Sequence, residues 1–334
     1  MKIIFNLMNC GLGNNGGSTS IVRSANTLSN LGVEVLIIDS ISNKHTWNPL
    51  KVKHIIIKDN SQVPDADFVI ATGYTTVGST LELPIRCGKK VHWIRGWESW
   101  KLSEDEIIKQ ILSAKTIKLV NSICLQRKLD SLGFKSEIVR PGYDFDEIYP
   151  LNIRSGKEVI IGALYNEGMK RRSKRTSWCF DAISFLKRNH KNIKFQMFGS
   201  EGVPASGLID KFVKNPTMKE KNYFYNECDI WLAPTELEGL HIPPAEAMLT
   251  ECTVVGTSSP MSGMQDYLEN GKTGLVSNNT IGSFIKNINS LVISDRTRKV
   301  LGSNGRNKIL ELGSRENNMK NMVEFLYEKW KEND

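Results

Sequence analysis

The chain has 334 residues, of which 40% are hydrophobic, 8% aromatic and 24% charged. That length favours two domains of about 150 residues each, and the balance excludes disordered, collagen-like and membrane-spanning classes. The 44 Lys and Arg against 36 Asp and Glu leave a formal +8, which points to an anionic partner such as phosphate, nucleic acid or an acidic membrane surface.

Residues 2–8 form a short apolar run, interrupted by Asn6, that leads into glycines and not into a small-residue cleavage site. It reads as a first strand and not as a secretion signal. Gly11, Gly13, Gly16 and Gly17 end it, and Ile21, Ala25, Leu28 and Leu31 then recur at helical spacing until Gly32. Residues 33–38 are the next strand, closed by Asp39, so the first forty residues predict a βαβ unit with parallel strands and a right-handed crossover. Further strands are predicted at 54–57, 68–71, 91–94 and 117–120, with helical patterns between several of them. Such alternation predicts a parallel sheet covered on both faces.

Residues 138–141, Gly142 and the acidic, aromatic stretch 143–150 read as a hinge, after which the pattern restarts. A strand at 159–164 precedes an amphipathic helix at 177–190, with Phe180, Ile183, Phe185 and Leu186 as its apolar members. A strand at 193–198 ends at Gly199, and short strands follow at 229–233, 254–256 and 274–276. A helix at 320–331 closes the chain, with Met322, Phe325, Leu326 and Trp330 available for an apolar stripe. The expected organisation is therefore an α/β chain with one domain at 1–150, a second at 151–315, and a tail at 316–334 that packs back towards the first. Cys10, Cys87, Cys124, Cys179, Cys228 and Cys252 are scattered without a C-x-x-C pair and read as reduced residues of a cytoplasmic protein.

Three segments carry chemistry. Gly11-Leu12-Gly13-Asn14-Asn15-Gly16 fits G-x-G-x-x-G between a strand and a helix, with Asp39 where a ribose-binding acid would lie. The segment is open to three readings: a dinucleotide fingerprint, a glycine loop lining a cleft, or a structural turn of positive φ. Lys170, Arg171, Arg172, Lys174 and Arg175 place five positive charges in six residues after the strand at 159–164, where open α/β sheets bind ligands. They form either a solvated surface run or an anion site of charge-assisted hydrogen bonds. In residues 229–256 a strand leads to a loop with Glu236 and Glu238, then Gly239, then the pair Pro243-Pro244 that suits a helix start. Glu238 and Glu246 are eight residues apart, so they can meet one ligand from loop and helix. The amides from Gly239 to Ile242 offer N–H donors to a phosphate. The bland alternative is an acidic helix entry.

The segment Glu238-Gly239-Leu240-His241-Ile242-Pro243-Pro244-Ala245-Glu246-Ala247-Met248 resembles the E-x7-E signature of retaining nucleotide-sugar glycosyltransferases of family 4. These enzymes have the GT-B architecture, two Rossmann-like domains facing across a cleft. The likeness extends over most of the chain, through Gly16-Gly17, through residues 198–202 and through Gly256 with residues 266–274. It implies that Glu238 lies near the transferred sugar and the reacting centre, that Glu246 holds the ribose hydroxyls, and that Lys174, with either Arg172 or Arg171, neutralises the diphosphate. Gly16, Gly17, Gly239, Leu240 and His241 complete the implied donor site. Two departures stand out: Gly162-Ala163-Leu164 replaces the usual Gly-Arg-Leu, and His241 replaces a small residue.

His92 falls in a strand and reads as packed, which leaves Trp97 and Glu98 as acceptor-side candidates. The expected activity is retaining transfer from a nucleotide-diphosphate sugar to a hydroxyl acceptor. No Asp-x-Asp stands in a metal-binding context, so neither an obligate metal nor a cofactor beyond the donor is expected. The basic surface suits a glycan, a lipid-linked glycan at the inner membrane face, or a hydroxymethylated DNA base. The rivals are an NAD(P)-dependent oxidoreductase built on Gly11, Gly13, Gly16 and Asp39, and a non-catalytic nucleic-acid-binding protein.

Overall fold

The structure, a computed structural model, describes residues 1–42, 45–99, 102–154, 156–166, 173–200, 202 and 204–332. It divides into two compact units, Met1–Gly142 with Arg315–Asp334, and Tyr143–Ser314. The strands of the first unit are β1 (Lys2–Asn6), β2 (Glu34–Asp39), β3 (Lys53–Ile56), β4 (Phe68–Ala71), β5 (Lys89–Ile94), β6 (Ile117–Val120) and β7 (Glu137–Ile138). They pair in parallel in the order β3-β2-β1-β4-β5-β6-β7. The second unit has β8 (Val159–Leu164), β9 (Ile193–Gly199), β10 (Lys211–Lys214), β11 (Ile230–Ala233), β12 (Thr253–Thr257) and β13 (Gly274–Ser277). Their order, β10-β9-β8-β11-β12-β13, is again wholly parallel. Each sheet therefore repeats the doubly wound order 3-2-1-4-5-6, which reverses direction beside its first strand.

The helices are α1 (Gly16–Asn30), α2 (Val77–Leu81), α3 (Glu104–Glu106, continued by a π-helical turn at Ile107–Leu112), α4 (Ile123–Ser131), α5 (Thr176–Asn189), α6 (Met218–Glu227), α7 (Ile242–Leu249), α8 (Ile281–Val292), α9 (Asp295–Glu311) and α10 (Arg315–Lys331). Among the described residues no helix is long and apolar enough to cross a membrane. Because alternate side chains of a strand point to opposite faces, a strand buried on both reads as an unbroken apolar run. Ile3 and Phe5 pack with α1, whereas Ile4 packs on the opposite face with Leu36, Ile38 and Val69. In the second unit Trp231, Ala233 and Val254 share a face with Ala245 and Met248 of α7. Ile230, Leu232 and Val255 share the other with Ile183, Leu186 and Phe284 of α5 and α8.

Three expectations are corrected. β10 was not predicted, because Lys-Phe-Val-Lys at a sheet edge exposes both terminal lysines and leaves too little apolar pattern. Phe185 on α5 is exposed, and Cys179 and Ala182 take the buried positions with Ile183 and Leu186. The closing helix begins five residues earlier than predicted, and Met319, Met322 and Leu326 face α1 while Trp330 is 52% exposed, stacked on Tyr327. Unbranched methionines fill the α1–α10 seam, so the polar-looking start of the helix carries part of the contact.

His92 lies on β5, 3% exposed, and its Nδ1 has no hydrogen-bond partner among the described residues. Burial, followed by the charges of Lys118 and Arg95, holds its pKa down to about 3.

Leu326→Ala should cost about 2–5 kcal/mol by opening a cavity in the α1–α10 seam, and Trp330→Ala about 0.5 kcal/mol as a surface change. Urea unfolding of both variants checks the stripe. The unfolded chain binds a proton at the usual histidine pKa and the folded chain only near 3, so His92 supports folding fully above about pH 6.5. That support is lost progressively as the pH falls towards 3, at up to about 1.4 kcal/mol per pH unit. His92→Asn should shrink the difference in unfolding free energy between pH 7 and pH 5, and an unchanged difference would remove His92 from the acid limb.

Candidate active site

In the second unit the sheet reverses direction between β8 and β11, which are paired through Ile161 with Ile230 and Ala163 with Leu232. The loops that leave these two strands carry the basic cluster and the acidic loop. Lys174 pairs with Oε1 of Glu238, although 64 residues separate them in sequence. Next to it, Arg175 pairs with Glu236 at 2.8 Å, hydrogen-bonds Asn279 and lies 4.6 Å over the ring of Trp178. Two cations thus meet two carboxylates at the carboxyl ends of the strands. Arg172, with Lys170 and Arg171, lies outside the described residues.

The acidic loop is held from its far side. Glu238 bridges Ser262, its amide donates to the Met261 carbonyl at 3.1 Å, and its own carbonyl accepts from the amide of Gly263 at 3.0 Å. A Cβ on Gly263 would overlap the carbonyl oxygen of Gly239, so a side chain there would push the loop away. Ser259 Oγ adds a hydrogen bond of 2.5 Å to the Glu236 carbonyl. On the same side, Thr257, Ser258, Ser259, Pro260, Ser262, Gln265 and their neighbours line a cavity of about 420 Å³.

The loop enters α7 through His241, whose φ of 60° and ψ of 69° lie in the left-handed region. A side chain there costs about 1–2 kcal/mol relative to glycine, which explains why a small residue suits the position. Tyr267 donates its hydroxyl to the His241 carbonyl at 2.6 Å. With prolines at 243 and 244, the N–H donors at this helix start are those of Gly239, Leu240, His241 and Ile242. No described residue accepts a hydrogen bond from these four. The imidazole itself is 7% exposed, with Nε2 3.7 Å from Glu238 Oε1. Burial and the charge of Lys174 hold its pKa well below the usual histidine range, so it is neutral at pH 7.

Glu246 sits within α7, 8% exposed. Oε2 accepts from the Tyr225 hydroxyl at 2.8 Å, and Lys221 approaches Oε1 at 3.1 Å and Oε2 at 2.9 Å. Neither partner was anticipated, although Lys221 and Tyr225 are spaced to share one face of α6. The carboxylate is oriented by its own unit and keeps acceptor capacity.

The first unit gathers a separate polar group at the ends of β1, β4 and β5. Asn15 caps α1 by accepting from the Ser18 amide at 2.9 Å, which places Gly16 and Gly17 at the helix start. Asp39 is fully buried and accepts from the amides of Leu12 at 3.2 Å and Ile41 at 3.0 Å. It braces the glycine loop and presents no face to a ribose, which weighs against the dinucleotide fingerprint. Arg95, unassigned from sequence, spans the group by donating to the Gly17 carbonyl at 2.7 Å and the Thr72 carbonyl at 2.9 Å. Glu98 accepts from the Tyr74 amide at 2.6 Å, and burial raises its pKa against the opposing pull of that bond and of Arg95. Trp97 is buried, with Lys128 Nζ 5.2 Å above its ring. Of this pair Glu98 is the one with exposed surface.

Among the described residues no group of three or more His, Cys, Asp or Glu is arranged to hold a metal ion.

Residues 159–294 match the family model described as "Glycosyl transferases group 1". No curated protein sequence matches the chain. Among solved structures, HepE of Anabaena in complex with UDP-glucose is similar at 13% identity, covering 98% of this chain and 100% of its own, with a TM-score of 0.77. The sucrose-phosphate synthase of Thermosynechococcus elongatus is similar at 13% identity, 98% and 99% coverage and a TM-score of 0.75. WaaG, a glycosyltransferase involved in lipopolysaccharide biosynthesis, is similar at 14% identity, 97% and 99% coverage and a TM-score of 0.70. The chain has two Rossmann-like domains of the GT-B fold, and its match to the glycosyl transferases group 1 model lies within the second unit.

Proposed function

We propose that the chain is a retaining glycosyltransferase that moves a sugar from a nucleoside-diphosphate sugar to a hydroxyl of a glycan or lipid-linked glycan, without a metal or further cofactor. The observation that carries the reading is the meeting of Lys174, Glu238 and the Gly239–Ile242 amides at the switch point between β8 and β11. The match of residues 159–294 supports it, since that segment holds Lys174, Glu238 and Glu246. So does the likeness to HepE, which was solved with UDP-glucose.

The residues take roles that follow from their charge. Breaking the bond between the anomeric carbon and the β-phosphate oxygen leaves an electron pair on the departing diphosphate and positive charge on the sugar. Lys174, with Arg172 or Arg171, and the amides at the start of α7 stabilise the first as preorganised donors. Glu238 takes the hydroxyls of the transferred sugar and faces the cationic centre. Glu246, fixed by Tyr225 and Lys221, takes the ribose hydroxyls. Gly16 and Gly17 offer amides at a second helix start. The acceptor oxygen forms the new bond on the face the diphosphate leaves, and the leaving phosphate oxygen receives its proton, so configuration is retained and charge balances. Glu98, held by the Tyr74 amide, is the acceptor-side carboxylate, with Trp97 beside it in the chain. The glycan class rests on the likeness to WaaG and on the positive net charge, which suits an acidic membrane face.

Calorimetric titration with UDP, GDP, ADP and NAD should show binding of one of the diphosphates in preference to NAD. Tight NAD binding with no response to the diphosphates would sink the reading. With the preferred nucleotide, Lys174→Ala should weaken binding by about 10- to 100-fold, the loss of one charge-assisted contact. Glu238→Gln should lower turnover by about 100-fold or more while the thermal midpoint stays near wild type. Near-normal turnover in that variant would remove Glu238 from the chemistry.

A further inference from the structure

Lys174 and His241 converge on the same oxygen of Glu238. The ammonium pairs with Oε1, and Nε2 of the imidazole stands 3.7 Å from it. That spacing is too long for a hydrogen bond while the lysine holds the oxygen. No described residue donates to Oε2, so this is the oxygen a ligand would meet. The imidazole is 7% exposed, and its backbone is tied by the Tyr267 hydroxyl. Its Nδ1 has no hydrogen-bond partner among the described residues. A buried ring is therefore kept in a left-handed backbone position that favours glycine, beside the carboxylate of the proposed reacting centre.

A donor diphosphate would draw Lys174 away from Glu238, because a phosphate oxygen is a strong acceptor for the ammonium. The carboxylate would then be a part-buried charge that has lost its partner. We propose that His241 is a positioning residue that takes over Oε1 of Glu238 when Lys174 turns to the diphosphate, leaving Oε2 aimed at the transferred sugar. The inference rests on the donor-site reading above. A movement of about 0.8 Å brings Nε2 to hydrogen-bond distance. The groups that face the ring are Lys174 and Glu238, and Arg175 with Glu236 forms the adjacent pair. A neutral donor fits this place because it holds the carboxylate without competing with Lys174 for phosphate. A lysine or arginine would bind the diphosphate itself, and glycine would leave Glu238 unheld.

His241→Gly relaxes the backbone and removes the donor, whereas His241→Gln restores an N–H at comparable reach. Hydrolysis of UDP-glucose, GDP-glucose and ADP-glucose gives kcat and KM, titration with UDP, GDP and ADP gives diphosphate affinity, and thermal melts report folding. The glycine variant should lose about 10- to 100-fold in kcat, the usual cost of removing an orienting partner, with diphosphate affinity within about threefold of wild type. The glutamine variant should recover most of the loss. Wild-type kcat in the glycine variant overturns the inference, as does a glutamine variant no better than glycine, or an affinity that falls in step with kcat. A wild-type protein that binds none of the three diphosphates overturns the donor-site reading and this inference with it.

Discussion

The site of the second unit depends on the parallel pairing of β8 with β11. Residues 69 positions apart lie side by side there, Ile161 with Ile230, so the loops that follow both strands emerge together. The pairing is tight because Gly162 has no side chain: a Cβ would overlap Cys228 Sγ and come within 3.0 Å of the Trp231 ring. Trp231 in turn packs with Phe198, Phe224 and Tyr225, whose ring centroids lie 5.0–6.4 Å from its own. The same Tyr225 carries its hydroxyl to Glu246. Core packing and site geometry are one structure here, since the aromatic group that secures the strand pair also orients a carboxylate.

Charge is arranged with equal economy. Lys174 and Glu238 are 23% and 18% exposed, and Arg175 and Glu236 are 14% and 49% exposed. Pairs at this depth gain more than surface pairs and lose hydration in return, so their net worth to folding is small. Their value lies in holding two cations beside a helix start at the ends of the strands. An anion that binds there exchanges one set of ionic partners for another and does not bury a new charge alone.

Much of this was legible in the sequence, for identifiable reasons. Strands buried on both faces leave unbroken apolar runs, so β4 and β8 fall at the predicted residues, as does β6, whose run is broken by the half-buried Lys118. The eight-residue interval from Glu238 to Glu246 was legible because a loop and a helix start lie between them, marked by Gly239 and two prolines. Partners across the fold were not. Lys221 and Tyr225 meet Glu246 from another helix, and Arg95 reaches Gly17 across 78 residues. Asp39 shows the limit most plainly: its place at the end of β2 suited a ribose ligand, but its carboxylate turns inward to the amides of Leu12 and Ile41. Sequence position gives the strand end, and only the fold gives the direction of the side chain.

Backbone strain marks the same place. Among the described residues, non-glycine positions of positive φ other than asparagine are Arg175, His241 and Glu251. Asparagine tolerates that region readily, so these three are the costly cases. Two of them are the N-caps of α5 and α7, the helices that start beside β8 and β11. Glycine would relieve both positions, yet each holds a side chain committed to the site: Arg175 to Glu236 and the Trp178 ring, His241 to the neighbourhood of Glu238. Strain of this kind persists where surrounding contacts over-determine a conformation, as at functional sites. Arg175 and His241 each enter their helix in the left-handed region, and each sets its side chain beside a carboxylate of the same loop, Glu236 or Glu238.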